Sequence, residues 1–454
     1  MQTKFVMSKS LTTVLALSVF FMTVKSGTGQ VLIPEKRLAL EELELMVLAK
    51  NPTIAQGESA IRAAEGYAIQ AGLYPNPIVG YEGVEFSRGF TNTSEHFLFL
   101  EQRIVTAGKL KKGRQIFQKE GSRTRAELQV QKLKVINTVR LLYYEALGAQ
   151  LIVHWRGELA RIVQEALDVS DQLFNVGAAD RPDVLGVSIE AERARLGLLT
   201  AKNHQRQVSE TLAAMVGIPT PSKIRLAGKL SGEIPHFDQS ETLTTLLRES
   251  PEIRRAEARL EQMKAILIHA KVKPIPDLVV RGGMGYSFEP LEAGDSLPRG
   301  LEGFVAVGIE IPLFDRNQGA IAAAEAEIVR AKYGVQRIKL ALQNRLEVIF
   351  ARYVNAREAV KSYRDSILPQ AQKAYDLYLA KFQSMAAAYP QVLIAQRTLF
   401  EEQITYTNSL IDLWQSAVQL RGLTLTDGLN LSSGVLSQRL IGPSIGMENV
   451  ARSE

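Results

Sequence analysis

Leu173-Phe174-Asn175-Val176-Gly177-Ala178-Ala179-Asp180-Arg181-Pro182-Asp183-Val184-Leu185 has a partner further along the chain: Ala380-Lys381-Phe382, running on to Tyr389-Pro390-Gln391-Val392-Leu393. Phe174 and Phe382 stand 208 residues apart, as do Pro182 and Pro390. Upstream, Asn51-Pro52 matches Ser250-Pro251, and Pro75-Asn76-Pro77 matches Pro274-Ile275-Pro276, both at an offset of 199. Loop insertions account for the drift. A duplication of this length means one structural unit used twice, not two unrelated domains.

Each unit has the same internal order. A helical pattern from about Leu40 to Leu73 is broken at Asn51-Pro52, where Asn51 is suited to cap a helix with proline at its first position. Pro75 and Pro77 end it, because proline lacks the amide that the helical ladder needs. Two extended segments follow in each half, 78–86 with 96–105, then 277–288 with 303–313. Leu278, Val280, Gly282, Met284, Tyr286 and Phe288 alternate against Val279, Arg281, Gly283, Gly285 and Ser287; Val305, Val307, Ile309 and Ile311 share one face. That is the period of a strand. Segments of roughly ten residues can cross a bilayer when tilted. The first-half strands are less regular, since Glu82 and Glu85 fall on opposite faces.

No proline then appears until Pro182. From Val135 the chain runs Val139, Leu142, Ala146, Ala149, Val153, Arg156, Ala160, Val163, Leu167, Ser170 and Phe174 in steps of four and three. The second half repeats the pattern at Leu346, Ile349, Tyr353, Ala356, Val360, Tyr363 and Ile367. This spacing predicts coiled-coil packing. A helix over Lys109 to Asn175 would be on the order of 100 Å long. Return helices are expected from Pro182 to Val216 and from Pro390 to about Gly422, which places hairpin tips at 176–183 and 384–391. At the first tip Gly177 can close a helix in the left-handed region. Asp180 can cap the next helix, and Asp183 suits its first turn. The apolar pairs Val184-Leu185 and Val392-Leu393 recur just after the tip prolines, where a docking surface would need them.

The expected layout is therefore a leader over 1–29, a linker over 30–39, repeats over 40–217 and 241–422 joined by a surface connector over 218–240, and a partly disordered tail over 423–454. Lys4 and Lys9, an apolar run from Leu11 to Val24 and small residues at 26–29 have the order of a secretory signal. The 454 residues include no cysteine, which excludes disulfides, thiolate chemistry and a lipidated N-terminal cysteine. Of the net charge of +6, Lys4, Lys9 and Lys25 supply three, leaving +3, which is no footprint for nucleic acid. No further segment is long and apolar enough for a membrane helix, so the exported chain is soluble or enters the membrane as a β-barrel. The five histidines are scattered without metal-ligand spacing, and Arg281-Gly282-Gly283-Met284-Gly285 lacks the spacing of a nucleotide loop. Neither an enzyme, a cofactor nor a metal site is expected.

Together the secretory signal, the Pro-x-Pro before each strand pair, the long hairpins and the Gly-x-x-x-x-x-Asp-Val-Leu tip at Gly177–Leu185 resemble the TolC-like outer membrane efflux proteins, over about residues 38–425. Ile367-Leu368-Pro369-Gln370-Ala371 resembles that family's second-half helix break. The resemblance implies a mixed α+β membrane protein in the outer membrane of a Gram-negative-type bacterium. As a homotrimer it would build a twelve-stranded β-barrel from four strands per protomer, with a long periplasmic α-helical tunnel. It implies a passive exit duct for tripartite efflux or type I secretion, served by an inner-membrane pump of RND or ABC type. A periplasmic adaptor would dock at Gly177, Asp180, Pro182, Asp183, Val184, Leu185, Pro390, Val392 and Leu393. Tyr74-Pro75-Asn76-Pro77 and the run from Glu101 to Lys109 look most like the heavy-metal efflux branch. The acidic residues that narrow the tunnel mouth in some members align with Gln391 and Ile394, so a carboxylate ring is in doubt there. The second tip also lacks the family's glycine. A soluble periplasmic coiled-coil adaptor or scaffold is the alternative, but it would not need four strands of membrane-spanning length.

Overall fold

Prolines and left-handed residues punctuate this chain, and its elements begin and end on them. The computed structural model describes residues 37–84, 95–217, 225–233, 235–287, 300–386 and 389–428. The expected leader, most of the linker, both outer strand loops, the start of the connector and 429–454 lie outside them. A two-residue strand β1 (Arg37–Leu38) precedes α1 (Leu40–Lys50) and α2 (Pro52–Gln70), then β2 (Ile78–Val84), β3 (Glu95–Ile104), α3 (Lys109–Asn175) and α4 (Arg181–Val216). The second half runs β4 (Arg225–Leu226), α5 (Gln239–Glu249), α6 (Pro251–Val272), β5 (Leu278–Ser287), β6 (Gly300–Ile309), α7 (Gln318–Ser362), α8 (Leu368–Gln383) and α9 (Tyr389–Arg421).

Local chemistry sets these boundaries. The Asn51 side chain accepts the Thr53 amide at 3.0 Å, so α1 stops and α2 starts on its proline. Both long helices start after a left-handed residue, Gly108 (φ 64°) before α3 and Asn317 (φ 56°) before α7. Pro369 was expected at a helix break. Instead the residues Tyr363–Ile367 form one π turn and the helix continues. The Leu368 amide reaches back to the Tyr363 carbonyl, a register that accommodates a ring with no amide.

β2, β3, β5 and β6 form one antiparallel sheet in that order. The helices continue the strands in the same order. α2 leads into β2, β3 into α3, α6 into β5 and β6 into α7, and α2 packs on α3, α3 on α6, and α6 on α7. β6 lies at 300–309, not at the expected 303–313. Pairing with β5 ends at Leu278 opposite Ile309, and Pro312 has no amide to extend it.

α3, 67 residues long, contacts α1, α2, α4, α6 and α9. Val135, Val139, Ala146 and Ala149 are buried as the seam predicts, but further along the buried residues are Leu159, Ile162 and Ala166. The expected Ala160, Val163 and Leu167 are only partly covered. A helix packed between α4 and α9 buries a stripe that no single 3.5-residue seam describes. In α7 the expected Leu346, Ile349, Tyr353, Ala356 and Val360 are all buried.

The connector is not a surface strap. β1 pairs with β4 in parallel, and Leu226 and Leu230 join the core. Tyr143 donates to the Ala227 carbonyl and the Trp414 indole to that of Leu230, giving each buried aromatic a partner for its polar end. The start of the expected tail is also packed. Asn137, fully buried on α3, donates to the carbonyls of Gly422 (2.8 Å) and Leu425 (2.6 Å). Gln131 donates to that of Gly428 (2.7 Å). Two amides of the first repeat thus hold the end of the second.

Where sheet meets helices, the nearly buried Asp277 gathers four donors. Arg103 Nε and Nη2 donate at 3.1 and 2.8 Å, Lys109 Nζ at 2.8 Å and the Thr106 amide at 3.0 Å. One carboxylate therefore pins the end of β3 and the start of α3 to the start of β5. Burial raises its pKa, but the bonds from Lys109, the Thr106 amide and Arg103 outweigh burial and hold it below the ordinary carboxylate value. Its stabilisation should be complete above an unfolded-state pKa of about 4 and be lost as pH falls through the lower native value. Asp277→Asn should cost about 2 to 3 kcal/mol at neutral pH, since it removes charge-assisted bonds and strands Lys109. Thermal unfolding of the two proteins across pH should show the gap between them closing on strong acidification.

Candidate functional site

The register divides the sheet into two unlike faces. One carries Val79, Tyr81, Leu98, Leu100, Ile104, Val280, Met284, Leu301, Val305, Val307 and Ile309, broken by His96 and Gln102. Val79 and Val305 are 76% and 79% exposed. So continuous an apolar surface needs a cover. The opposite face carries Glu82, Phe97, Phe99, Glu101, Arg103, Arg281, Glu302 and Phe304. Apolar residues outward and charged residues inward is the pattern of a membrane barrel wall.

Large rings on the charged face lie over glycines. Phe99 covers Gly80, Phe97 covers Gly285 and Phe304 covers Gly283, where an added Cβ would meet the rings at 2.3, 2.3 and 2.5 Å. Arg281 lies across this floor, its guanidinium carbon 3.8 Å from the Phe99 ring centre and 5.7 Å from that of Phe304, and it pairs with Glu82. Sequence reasoning missed this cluster. In the sequence, Glu82 only interrupts the alternation of a strand, and Arg281 stands in a run without the spacing of a nucleotide loop. The available signal was their separation of 199 residues, the offset already seen between the proline pairs. With Arg281 tied to Glu82 and Arg103 to Asp277, Glu101 and Glu302 are the carboxylates of this face that have no ion pair among the described residues.

At the other end of the helices, the first tip closes as a Schellman turn. The Ala178 amide bonds the Leu173 carbonyl at 2.8 Å, the Gly177 amide bonds that of Phe174, and Gly177 has φ 74°. The second tip makes the same turn 208 residues later. The Ala386 amide bonds the Lys381 carbonyl at 2.8 Å, with Met385 at φ 58° in place of glycine. Asp180 stands at the start of α4, but its side chain makes no capping bond; its carbonyl accepts the Asp183 and Val184 amides instead. Pro182 and Pro390 are each the second residue of their helix.

The recurring apolar pairs split. Val184 and its counterpart Val392 are buried at 4% and 3% exposure, whereas Leu185 is half exposed and Leu393 partly so. Gln391 and Pro390 are exposed, and Ile394 is 65% exposed. The apolar surface at this end therefore includes Val176, Leu185, Met385 and Ile394, with Met385 almost wholly exposed. Arg181 lies over the Phe174 ring. Among the described residues no cluster of His, Asp and Glu could hold a metal ion, and no helix is long and apolar enough to cross a membrane.

The model of a family described as "Outer membrane efflux protein" matches residues 45–218 and 242–424. The chain is 26% identical over 421 residues to the cobalt-zinc-cadmium resistance protein CzcC of Cupriavidus metallidurans, covering 89% of this chain and 95% of that protein. Its fold matches the outer-membrane channel OprN with a TM-score of 0.70 at 16% identity, covering 86% of this chain and 91% of OprN. It also matches CusC with a TM-score of 0.66 at 16% identity, over 87% and 92% of the two chains.

The two tips make the same demand on equivalent backbone positions and meet it with different residues. Nothing lies within 4 Å of a Cβ added at Gly177, so substitution there is resisted by the backbone alone. Gly177→Ala should destabilise by about 1 kcal/mol, and Met385→Gly should stabilise by a similar amount by removing a side chain from the left-handed region. Thermal melts of the two variants beside the parent protein check both signs.

Proposed function

The chain belongs to the outer membrane efflux protein family and forms an exit duct in the outer membrane; we propose that it does so as a homotrimer that expels divalent heavy-metal cations. The observation that supports the trimer is a sheet of four strands whose two edges, β2 and β6, have no further strand partner among the described residues. Lipid cannot satisfy a strand edge, so such a sheet needs further copies to close on itself. Three copies give twelve strands. The four helices that continue the strands give twelve more, arranged as the wall of a tunnel. A soluble adaptor is ruled out as a reading by the family and has no use for exposed apolar strands.

Two features support cations as cargo. The relative CzcC is named for resistance to cobalt, zinc and cadmium. On the charged face of the sheet both arginines are engaged in ion pairs, while Glu101 and Glu302 have none among the described residues. Three protomers would then set six carboxylates around the lumen, raising the local concentration of cations. The driving energy comes from an inner-membrane pump of RND or ABC type. A periplasmic adaptor joins the pump to the duct at the tips, which lie about 100 Å along α3 from its start. The exposed Leu185 and Met385 belong to the surface that this adaptor covers. Gln391 and Ile394 give the tunnel mouth a constriction without charge.

A deletion strain should lose tolerance to cobalt, zinc or cadmium while keeping tolerance to dyes and detergents, and the intact gene should restore it. Loss of drug tolerance alone would move the cargo to organic compounds. Leu185→Glu combined with Met385→Glu should abolish efflux while oligomeric state and melting temperature stay unchanged. Val184→Glu, by contrast, should lower stability by about 3 kcal/mol or more, because it buries an unpaired charge. Normal efflux from the stable double variant would contradict docking at the tips.

A further inference from the structure

About 20 Å along α3 from its start, a cavity of about 670 Å³ opens across α3, α6 and α7. Five arginines line it, Arg123, Arg255, Arg259, Arg330 and Arg337, with Glu127 as the acid in the lining. Like charges so gathered repel one another unless each has a counter-charge. Some do. Arg123 bonds Glu120 at 2.5 Å and Glu127 at 3.2 Å, and Arg330 bonds Glu327 at 2.7 Å. Arg255 has only a loose approach to Glu127, at 3.8 Å. Arg259 and Arg337 have no carboxylate within ion-pair distance among the described residues. Counting the flanking Glu120 and Glu327, five guanidiniums face three carboxylates, an excess of two positive charges.

The space between them is kept open by small residues. Ala256, Ala331 and Gly334 line the cavity, and nothing lies within 4 Å of a Cβ built at Gly334. The volume lies within the range of small-molecule sites, about 300 to 1,000 Å³. Guanidinium groups present planar pairs of donors that match carboxylate and phosphate oxygens. We propose that this cleft binds a small oxyanion carrying two or more negative charges, of the phosphate or polycarboxylate class. Arg259 and Arg337 supply the bonds that no protein carboxylate takes, and Arg255 adds a third.

Calorimetry on the detergent-solubilised full-length protein, with inorganic pyrophosphate and citrate as separate probes, tests the site. At least one probe should bind saturably at millimolar concentrations or below, and more weakly as salt rises. Arg259→Gln with Arg337→Gln should weaken binding at least tenfold without changing the melting temperature, since both side chains are exposed and have no ion pair among the described residues. Arg259→Lys with Arg337→Lys, which keeps the charge but loses the paired donors, should fall between. Binding of pyrophosphate alone would assign the site to phosphate groups, and of citrate alone to polycarboxylates. Absence of saturable binding by both probes would overturn the proposal. So would equal binding by the parent and the glutamine variant.

Discussion

A strand edge in hydrocarbon has no water to bond its amides and carbonyls, and most of this molecule follows from that constraint. Among the described residues, β3 and β5 are paired on both sides, β2 and β6 on one side each. The unit that the chain builds is therefore incomplete as a membrane structure. Its apolar face fits lipid and its charged face fits water, and its two open edges fit further copies of itself. Because each strand continues into a helix in the same lateral order, closing the sheet also closes the helical layer beneath it. Asp277 stands where the two meet and holds strand, corner and helix in one register.

Duplication makes the two halves alike in plan, and the differences lie where the halves touch. α3 is the shared member, in contact with elements of both repeats, and it buries Gln131 and Asn137 to hold the final turn of the second. α7 has no such duty, and its buried stripe is a plain seam. It departs instead at Tyr363–Ile367, where a π turn carries the helix past Pro369. The tips repeat one turn with different residues, Gly177 in one and Met385 in the other. Met385 holds a costly backbone geometry and an exposed apolar side chain together, a combination that stability alone does not favour.

Much of this was legible from spacing. The matched prolines located the repeats, and proline, glycine and asparagine located the helix ends, because those residues act through the backbone and need no knowledge of neighbours. The seam of α7 was legible for a related reason, since its buried face keeps one period throughout. In α3 the stripe moved by one residue beyond Ala149, where α4 and α9 share the helix and no single period applies. The charged face of the sheet was hidden because its order lies between strands. Phe99 over Gly80, and Arg281 reaching Glu82, become visible only once the register is known. The split of Val184 from Leu185 was likewise beyond a pattern that marks both as apolar. The connector looked solvent-exposed from its prolines, yet Tyr143 and Trp414 draw it into the core.

The number of chains in the native particle tests the central claim most directly. Native mass measurement of the detergent-solubilised protein, with folded sheet confirmed by circular dichroism, should give three chains per particle. Because the chain has no cysteine, no disulfide can hold such a particle together. A folded particle containing one chain would show that the four-stranded sheet satisfies its edges alone, and the account of the duct would fail with it.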